Sequence, residues 1–241
     1  MHAKTVRSLS VFFPCYNDKG TIGVLVQEAI ATLREAGITD YEVIVIDDGS
    51  TDGSRELLRE MEKSAPALRV IFHERNQGYG AALRSGFAAA KKEWIFYTDG
   101  DAQYDVKELK LLIQTATEDT DVVNGHKISR SDSLTRIIIG KLYQWGIRFG
   151  FLLAIRDVDC DFRLIRKAKM DAIRLVSNGG SVCVELVRRL QNVGSVFAEV
   201  PVHHYRRVYG HSQFFTFRRV GAALLALSRL WFLLVLLRRA R

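Results

Sequence analysis

The stretch Trp94-Ile-Phe-Tyr-Thr-Asp-Gly-Asp-Ala-Gln103 decides how this chain folds. A short apolar run, typical of a buried strand, ends in two carboxylates that flank a glycine. In an extended backbone, side chains two residues apart point to the same side, so Asp99 and Asp101 face one point. We predict that they bind Mg²⁺ or Mn²⁺ together with Gln103, because oxygen ligands suit both ions. Gly100 permits close backbone approach. The alternative is an acidic turn that caps the next helix.

The same alternation of short apolar runs and amphipathic stretches extends over the first 126 residues. Apolar strands that alternate with helices predict an α/β fold whose sheet is mostly parallel and covered by helices on both faces. The predicted strands are 10–13, 42–46, 69–72, 94–98 and 121–123, and the predicted helices between them are 21–36, 54–63, 79–91 and 106–117. Beyond residue 126 the pattern predicts helices near 137–153 and 182–191 and a strand near 195–200.

Polar loops that contain glycine follow several of these strands, at residues 14–18, 47–52, 76–80 and 99–103. Ligands of open α/β sheets bind beyond the carboxyl ends of the strands, so we expect these loops to form one site. Asp47 and Asp48 can accept hydrogen bonds from a nucleobase or a ribose, and Asp52 is the expected cap of the next helix. The glycines at 78 and 80 follow the third strand, whereas a dinucleotide-binding fingerprint follows the first, so NAD is disfavoured.

Charge is distributed unevenly along the 241 residues, which carry 35 Lys and Arg against 27 Asp and Glu. Residues 200–241 contain eight arginines and no acidic residue, so the whole net charge of +8 lies in this tail. The arginines flank an apolar run at 220–237, which fits a membrane surface better than nucleic acid. This run of 18 residues, with Arg229 near its centre, is short for a bilayer span of about 20 residues. We predict an interfacial or partner-docking helix, with a core or dimer helix as the alternative.

The composition, 48% hydrophobic and 26% charged, is typical of a folded protein with one large domain. We predict a main domain at 1–213 and a basic, apolar C-terminal helix at 214–241. The three scattered cysteines exclude a disulfide framework, and the polar first ten residues predict no signal peptide. We therefore expect a peripheral or monotopic protein at the cytoplasmic face of a membrane, with a homo-oligomer or a membrane partner left open.

A second group of charged residues lies in the second half of the chain. Basic residues flank the acidic run 157–161, which favours an anionic second substrate, although single surface arginines are usually only solvated. Asp157, Asp159 and Asp161 can act as a base or as ion-pair partners of these basic residues. The basic residues are Lys127, Arg130, Arg136, Arg163, Arg206 and Arg207.

These motifs resemble those of the inverting glycosyltransferases of family two, which have the GT-A fold. The resemblance is carried by Pro14-x-Tyr-Asn-Asp18, Asp47-Asp-Gly-Ser-x-Asp52, Asn76-x-Gly-x-Gly-Ala81 and Asp99-Gly-Asp-Ala-Gln103. Two motifs of the second half, Asp157-x-x-x-Asp-Phe-Arg-Leu-Ile-Arg166 and His204-Tyr-Arg-Arg-x-x-Gly-x-Ser-Gln213, are similar to the dolichol-phosphate mannose synthase branch. That branch includes bacterial polyprenyl-phosphate glycosyltransferases. The resemblance extends from Leu9 to about Phe217.

The resemblance implies a role for each matching residue. The nucleotide and donor pocket would be lined by Pro14, Tyr16, Asp18, Asp47, Asp48, Gly78, Asp99 and Gly100. The metal ligands would be Asp99, Asp101 and Gln103, and the catalytic residues Asp161 and Asp101. The acceptor phosphate and the donor diphosphate would be held by Lys127, Arg130, Arg136, Arg163, Arg207 and Ser212. Three positions depart from the pattern of many relatives: Asp18 stands in place of the usual Glu, Gln213 replaces a common Lys, and Asp161 stands where many relatives have Gly, although others carry Asp there.

The resemblance thus implies an enzyme, a metal-dependent transferase that moves a sugar with inversion from a UDP- or GDP-linked donor to a polyprenyl phosphate. The polyprenyl chain would be dolichyl or undecaprenyl, and mannose cannot be assumed as the sugar. An acceptor phosphate is already ionised near neutral pH, so positioning by arginines matters more than proton abstraction. The alternative is a soluble sugar or polysaccharide acceptor. A non-catalytic nucleotide-sugar-binding protein is disfavoured by the intact metal motif.

Overall fold

The computed structural model describes residues 5–128, 144–207, 209 and 225–237. Strands and helices alternate along this part of the chain. In chain order the elements are β1 Ser8–Cys15, α1 Ile22–Glu35, β2 Asp40–Asp47, α2 Ser54–Ser64, β3 Leu68–Phe72, α3 Tyr79–Ala89, β4 Trp94–Thr98, α4 Leu109–Thr115, β5 Val122–Lys127, α5 at 144–150, β6 Phe162–Arg166, α6 Lys167–Asp171, α7 Val182–Asn192, β7 Phe197–Val202 and α8 at 225–236, which ends in a π-helical turn over Phe232–Leu236.

The described strands form one seven-stranded sheet in the order β3-β2-β1-β4-β6-β5-β7. β1 pairs in parallel with β2 and β4, β2 pairs in parallel with β3, and β5 pairs in parallel with β7. β6 lies between β4 and β5 and runs antiparallel to both. The predicted α/β fold with a mostly parallel sheet is confirmed, and the antiparallel β6 is a strand that the sequence pattern did not predict.

Helices cover both faces of the sheet because consecutive residues of a strand point to opposite sides. In β1, Val11 and Phe13 belong to the core that includes α1, α2 and α4, whereas Phe12 belongs to the core that includes α3 and α7. All three side chains are fully buried. The predicted helices 21–36, 54–63 and 182–191 match α1, α2 and α7 to within one residue at each end.

A third apolar cluster lies where α5 and α8 pack on α7. α8 contributes Leu227, Leu230 and Leu234 to this cluster. The indole Nε1 of Trp231 donates a hydrogen bond of 2.8 Å to the carbonyl oxygen of Gly150, which joins α8 to the end of α5. One face of α8 is therefore buried against α5 and α7, as expected of a core helix. Within the described ranges, no helix has both the length and the apolar character that a bilayer span requires.

Candidate active site

The loops after β1 and β4 meet at the carboxyl edge of the sheet. Gly100 lies so close to β1 that a Cβ atom there would be 2.6 Å from the carbonyl oxygen of Pro14 and 3.4 Å from Oδ2 of Asp18. The Thr21 hydroxyl donates to the carbonyl oxygen of Gly100 at 2.7 Å, which ties the two loops together. Asp18 in turn accepts a hydrogen bond of 3.1 Å from the amide of Tyr16. Glycine is required at position 100 because a side chain would collide with the backbone of β1.

Four carboxylates gather at this edge, from Asp18, Asp99, Asp101 and Asp161. Burial, followed by the neighbouring Asp161 and Asp101, raises the pKa of Asp99 well above its usual value. Burial also raises the pKa of Asp18 to about 6, and the negative charge of Asp101 adds to this rise. The pKa of Asp101 is raised by burial as well, although a neighbouring arginine opposes the change. Buried carboxylates that repel one another are stabilised by a bound cation, so this edge has the electrostatics of a cation site.

The donor set fits a hard divalent ion. Asp99 Oδ1 accepts one hydrogen bond of 2.7 Å from the Tyr79 hydroxyl. Asp101 Oδ1 accepts one of 3.0 Å from the Gln103 amide, and its Oδ2 is paired with the Arg207 guanidinium. An ionised carboxylate offers about four lone-pair sites, so both groups retain acceptor capacity. Mg²⁺ usually takes one or two carboxylates and completes its shell with water and substrate phosphates, and Asp99 and Asp101 suit that arrangement.

A complete metal centre is not built from protein side chains alone in the part of the chain that the structure describes. No group of three His, Cys, Asp or Glu side chains there is arranged to hold a metal ion. The third predicted ligand, Gln103, uses its Nε2 to donate a hydrogen bond of 3.0 Å to the carbonyl oxygen of Tyr205. The amide of Tyr205 donates to the Gln103 carbonyl oxygen at 2.8 Å. These two bonds fasten the segment after β7, which carries Arg207, to the metal motif.

Asp48, which follows β2, holds the segment after β3 in place through hydrogen bonds. Its Oδ1 accepts hydrogen bonds from the Gln77 amide at 2.9 Å and from His73 Nδ1 at 2.7 Å, and its Oδ2 accepts from the Gly78 amide at 2.9 Å. Three protein donors thus occupy most of the acceptor sites of a carboxylate that the sequence assigned to the nucleotide. The neighbouring Asp47 is fully buried and lies 3.3 Å from the Arg55 guanidinium.

Asp161 is held by a buried network on β4, β6 and α7. Its Oδ1 accepts hydrogen bonds from the Tyr97 hydroxyl at 3.1 Å and from Arg163 Nη1 at 3.0 Å. The Cys183 thiol lies 3.2 Å from Oδ1 and 3.3 Å from Oδ2. The Asp161 side chain is 11% exposed, so it lies at the inner boundary of the site.

The structure corrects the prediction that Arg163 binds an acceptor phosphate. The Arg163 side chain is completely buried, and its guanidinium donates to Asp161, Tyr97, Asn124 and the carbonyl oxygen of Val158. A residue of a central strand points to one face of the sheet, and here that face is the protein interior. The sequence pattern did not predict β6, so it did not indicate that the Arg163 side chain is buried.

Lys127 is also engaged by protein groups. Its ammonium donates to the carbonyl oxygen of Asp159 at 2.7 Å and lies 3.6 Å from Oδ1 of Asp157. Asp157 further accepts from the Lys127 amide at 3.2 Å and from Gln144 Nε2 at 2.8 Å. For Asp157 and Asp161, the ion-pair alternative considered from the sequence describes what the structure contains. Burial raises the pKa of Asp159 to about 6, although Lys127 opposes the rise.

The remaining predicted phosphate-binding residues, Arg130, Arg136 and Ser212, lie outside the described residues. Sequence reasoning missed four residues that shape the site: His73, Tyr79, Tyr97 and Cys183. Tyr79 falls inside the singled-out loop 76–80 and His73 directly follows β3, so both positions carried a signal. Tyr97 and Cys183 carried none, because an aromatic residue in a strand and a cysteine in a helix are usually core residues.

A mostly parallel seven-stranded sheet with acidic loops at its carboxyl edge is the architecture of a GT-A-like fold. Residues 10–173 match the family model described as Glycosyl transferase family 2. The chain therefore belongs to glycosyl transferase family 2 and is a glycosyltransferase.

Curated relatives include the undecaprenyl-phosphate 4-deoxy-4-formamido-L-arabinose transferase of Salmonella paratyphi A. It is 29% identical over 224 residues, which are 91% of this chain and 66% of that protein. The protein of the same name from Aeromonas hydrophila is 29% identical over 219 residues, 89% of this chain and 65% of that protein. The chain thus spans about two thirds of the length of these relatives.

Solved structures with the same fold include glucosyl-3-phosphoglycerate synthase from Mycobacterium tuberculosis. Its complex with Mn²⁺, UDP and glucosyl-3-phosphoglycerate has a TM-score of 0.68 at 18% sequence identity and covers 95% of this chain and 80% of that one. The complex with phosphoglyceric acid has a TM-score of 0.69 at 19% identity with the same coverage. At this level of identity the likeness shows the GT-A fold.

Proposed function

We propose that this protein transfers a sugar, with inversion, from a nucleotide-diphosphate sugar to a polyprenyl phosphate in a metal-dependent reaction. The observation that carries the proposal is the group of buried and half-buried carboxylates Asp18, Asp99 and Asp101, whose pKa values are raised by burial and by neighbouring carboxylates. A divalent ion that carries a diphosphate has the chemistry that such a group requires. The names of the curated relatives, which specify undecaprenyl phosphate, support the polyprenyl acceptor.

Asp99, Asp101 and Gln103 would hold Mg²⁺ or Mn²⁺, and complexes of the structural neighbours with either ion support this assignment. When bound, the ion offsets the negative charge that develops on the leaving diphosphate. Tyr79 would orient Asp99 through its hydroxyl group, and the lack of a side chain at Gly100 lets this loop pack closely against the backbone of β1.

The nucleotide and the donor sugar would lie along the same edge. Their pocket would be lined by Pro14, Tyr16, Asp18, Asp47, Asp48, Gly78, Asp99 and Gly100. Of these residues, Asp48 would act mainly by holding the loop at 77–78 in place, because its oxygens already accept three protein hydrogen bonds.

The acceptor phosphate is ionised near neutral pH, so the enzyme has to position it and needs no strong base. Arg130, Arg136 and Ser212 would hold this phosphate and the diphosphate, together with Lys127 and Arg207. Asp161 would orient the acceptor or stabilise positive charge on the sugar ring, since Tyr97, Arg163 and Cys183 hold its carboxylate at the edge of the site.

A lipid acceptor requires contact with a membrane, and the side of the molecule formed by α5 and α8 is suited to it. Trp145, Phe149 and Leu152 are exposed on α5 and just after it, and Phe232 and Leu236 are exposed on α8. The two segments carry exposed arginines and no acidic residue. Aromatic side chains with basic neighbours favour the interface of an anionic bilayer. The protein would thus lie on the cytoplasmic face, with a catalytic domain at 1–213 and a membrane-binding segment at 214–241.

The proposal is tested by incubating the purified chain with undecaprenyl or dolichyl phosphate, Mg²⁺ or Mn²⁺, and radiolabelled UDP-glucose, GDP-mannose or UDP-GlcNAc in turn. We expect label to enter the organic phase with one donor and to disappear on addition of EDTA. Asp161→Asn should lower turnover at saturating acceptor if Asp161 acts on the reacting groups. Sugar transfer only to soluble acceptors, or transfer that EDTA leaves unchanged, would contradict the proposal.

A further inference from the structure

His73, to which the proposed reaction assigns no role, lies between the side chains of Asp48 and Ser85. Its Nδ1 is 2.7 Å from Oδ1 of Asp48, and its Nε2 is 2.9 Å from the hydroxyl of Ser85 on α3. His73 and Asp48 are 8% and 3% exposed, so water competes little for either contact. The ring thus connects the end of β2 to the middle of α3.

The direction of these hydrogen bonds follows from the chemistry of the groups. An ionised Asp48 only accepts, so Nδ1 of His73 carries the proton and donates. In the neutral imidazole Nε2 then accepts, and the Ser85 hydroxyl donates to it. The backbone of His73 is fixed as well, because its amide donates to the carbonyl oxygen of Asp47 at 2.8 Å and its carbonyl oxygen accepts from Arg55 at 2.9 Å.

Asp48 connects His73 to the loop that precedes α3 through hydrogen bonds. Its two oxygens accept from the amides of Gln77 and Gly78, each at 2.9 Å. Gly78 has a φ of 97°, a backbone conformation that glycine adopts without strain. Tyr79 comes next in the chain, and its hydroxyl contacts Asp99 of the metal motif. Four consecutive contacts therefore connect Ser85 to Asp99.

We propose that His73, supported by Ser85, is a positioning residue for the donor pocket: it orients Asp48, and Asp48 holds the 77–78 loop so that Tyr79 meets Asp99. The inference rests on the proposed function, because it assigns the loop to donor binding. His73 itself does not contact the donor. Its loss therefore weakens binding of the nucleotide and the metal more than binding of the acceptor.

The test compares His73→Leu, which removes both hydrogen bonds, with His73→Asn, whose amide can still donate to Asp48. Titration calorimetry with UDP plus Mn²⁺, and with GDP plus Mn²⁺, measures nucleotide binding. We expect His73→Leu to raise the Kd about tenfold, since hydrogen bonds to a buried carboxylate are lost, and His73→Asn to restore most of the affinity. In the transfer assay the KM for the donor should rise and the KM for the acceptor should stay the same.

Ser10→Ala is the matched control. The Ser10 hydroxyl is buried and accepts from the amides of Lys91 and Lys92 at the opposite edge of the sheet, so its loss destabilises the fold away from the site. A rise in Kd that is the same for Ser10→Ala and His73→Leu would overturn the proposal, as would an unchanged Kd in His73→Leu. If His73→Leu does not fold, Ser85→Ala decides, with an expected rise in Kd of about threefold.

Hydrogen exchange separates this inference from the proposed function. The Gln77 and Gly78 amides should exchange faster in His73→Leu than in the wild type, and slowly again in His73→Asn, whether or not a nucleotide binds. If the wild type binds neither nucleotide, the proposed function is contradicted, and the exchange rates still decide the positioning role. Unchanged exchange of both amides in His73→Leu would refute it.

Discussion

The carboxyl edge of the sheet buries charged side chains, whereas the surface formed by α5 and α8 exposes apolar ones. At the carboxyl edge, Asp18 and Asp101 are 7% and 5% exposed although a carboxylate prefers water. On the other surface, Trp145 and Phe149 are 66% and 60% exposed although an aromatic ring prefers the interior. Both departures cost stability in the isolated chain, so each indicates something that the chain binds.

The two regions also differ in how firmly protein groups hold them. The acidic residues of the edge are tied to backbone amides and hydroxyls of neighbouring loops, as Asp99 is to Tyr79. Among the described residues, the exposed rings of α5 are held by a contact between rings. Trp145 and Phe149 mainly pack on each other, with ring centroids 4.9 Å apart. A small, charged ligand requires a site with fixed geometry, whereas a lipid surface requires only apolar area.

The largest effect is expected at the metal motif. Asp99→Asn should lower kcat on the order of 10³-fold, because the charge that holds the cation against the diphosphate is lost. Mn²⁺ binding, measured by electron paramagnetic resonance, should be lost as well. Asp105→Asn changes a carboxylate in the same loop whose Oδ1 accepts from the amide of Lys107, and this control should keep both properties. Retention of Mn²⁺ binding by Asp99→Asn would show that Asp99 is not a metal ligand.

The next effect distinguishes the two faces of α8. Leu234→Ala removes a fully buried side chain and should lower the free energy of unfolding by about 2–4 kcal/mol in urea denaturation. Phe232→Ala, at a position that is 50% exposed, should leave that free energy nearly unchanged. It should instead weaken co-sedimentation with anionic phosphatidylglycerol vesicles about tenfold. Equal vesicle binding by the wild type and Phe232→Ala would remove the exposed face of α8 from the membrane contact.

Acid should stabilise the metal-free protein through Asp18. Burial raises the pKa of Asp18 to about 6, above its usual 3.8, so between these values the folded state binds a proton that the unfolded state has released. Raising the pH through this window therefore favours unfolding, by up to about 3 kcal/mol from this group.

The measurement is urea denaturation in EDTA, below pH 4 and at pH 7, for the wild type and Asp18→Asn. The wild type should lose more stability between the two conditions than the variant loses. An identical pH dependence in both proteins would show that Asp18 titrates normally in the fold.

The smallest effect concerns the contact between Arg207 and Asp101. The guanidinium partly neutralises the carboxylate that the metal needs, so Arg207→Gln should tighten Mn²⁺ binding about fivefold in the absence of nucleotide. Arg206→Gln removes one positive charge at the exposed neighbouring position. It is the control for a change in electrostatic potential that does not depend on the contact with Asp101. Weaker Mn²⁺ binding by Arg207→Gln would mean that the arginine supports the metal site instead of competing for it.

Much of the first half of the fold could be predicted from the sequence. The strand at Trp94–Thr98 was predicted with its observed ends, and α1 and α2 were predicted to within one residue at each end. Apolar periodicity is a local property of the chain, and in this half it agrees with the tertiary structure. The prediction that the acidic loops form one site followed from the general rule that ligands bind beyond the carboxyl ends of parallel strands.

The second half was less predictable because its charged residues are buried. The sequence predicts a phosphate-binding role for Arg163, but this residue occupies the middle of the sheet, where its guanidinium donates to Asp161 and Tyr97. A charged side chain can be buried only when partners from distant segments compensate its charge. The hydrophobic pattern along the sequence contains no information about such partners.

The sequence by itself determined that this protein has an α/β fold with acidic loops at strand ends, including the acidic motif at 99–103, and a basic, apolar tail. Those properties arise from local order along the chain. Only the tertiary structure decided which donors hold Asp48 and Asp161, which face of α8 is buried, and that Arg207 reaches Asp101. Most of these contacts join residues far apart in sequence, and their energies depend on burial that exists only after the chain has folded.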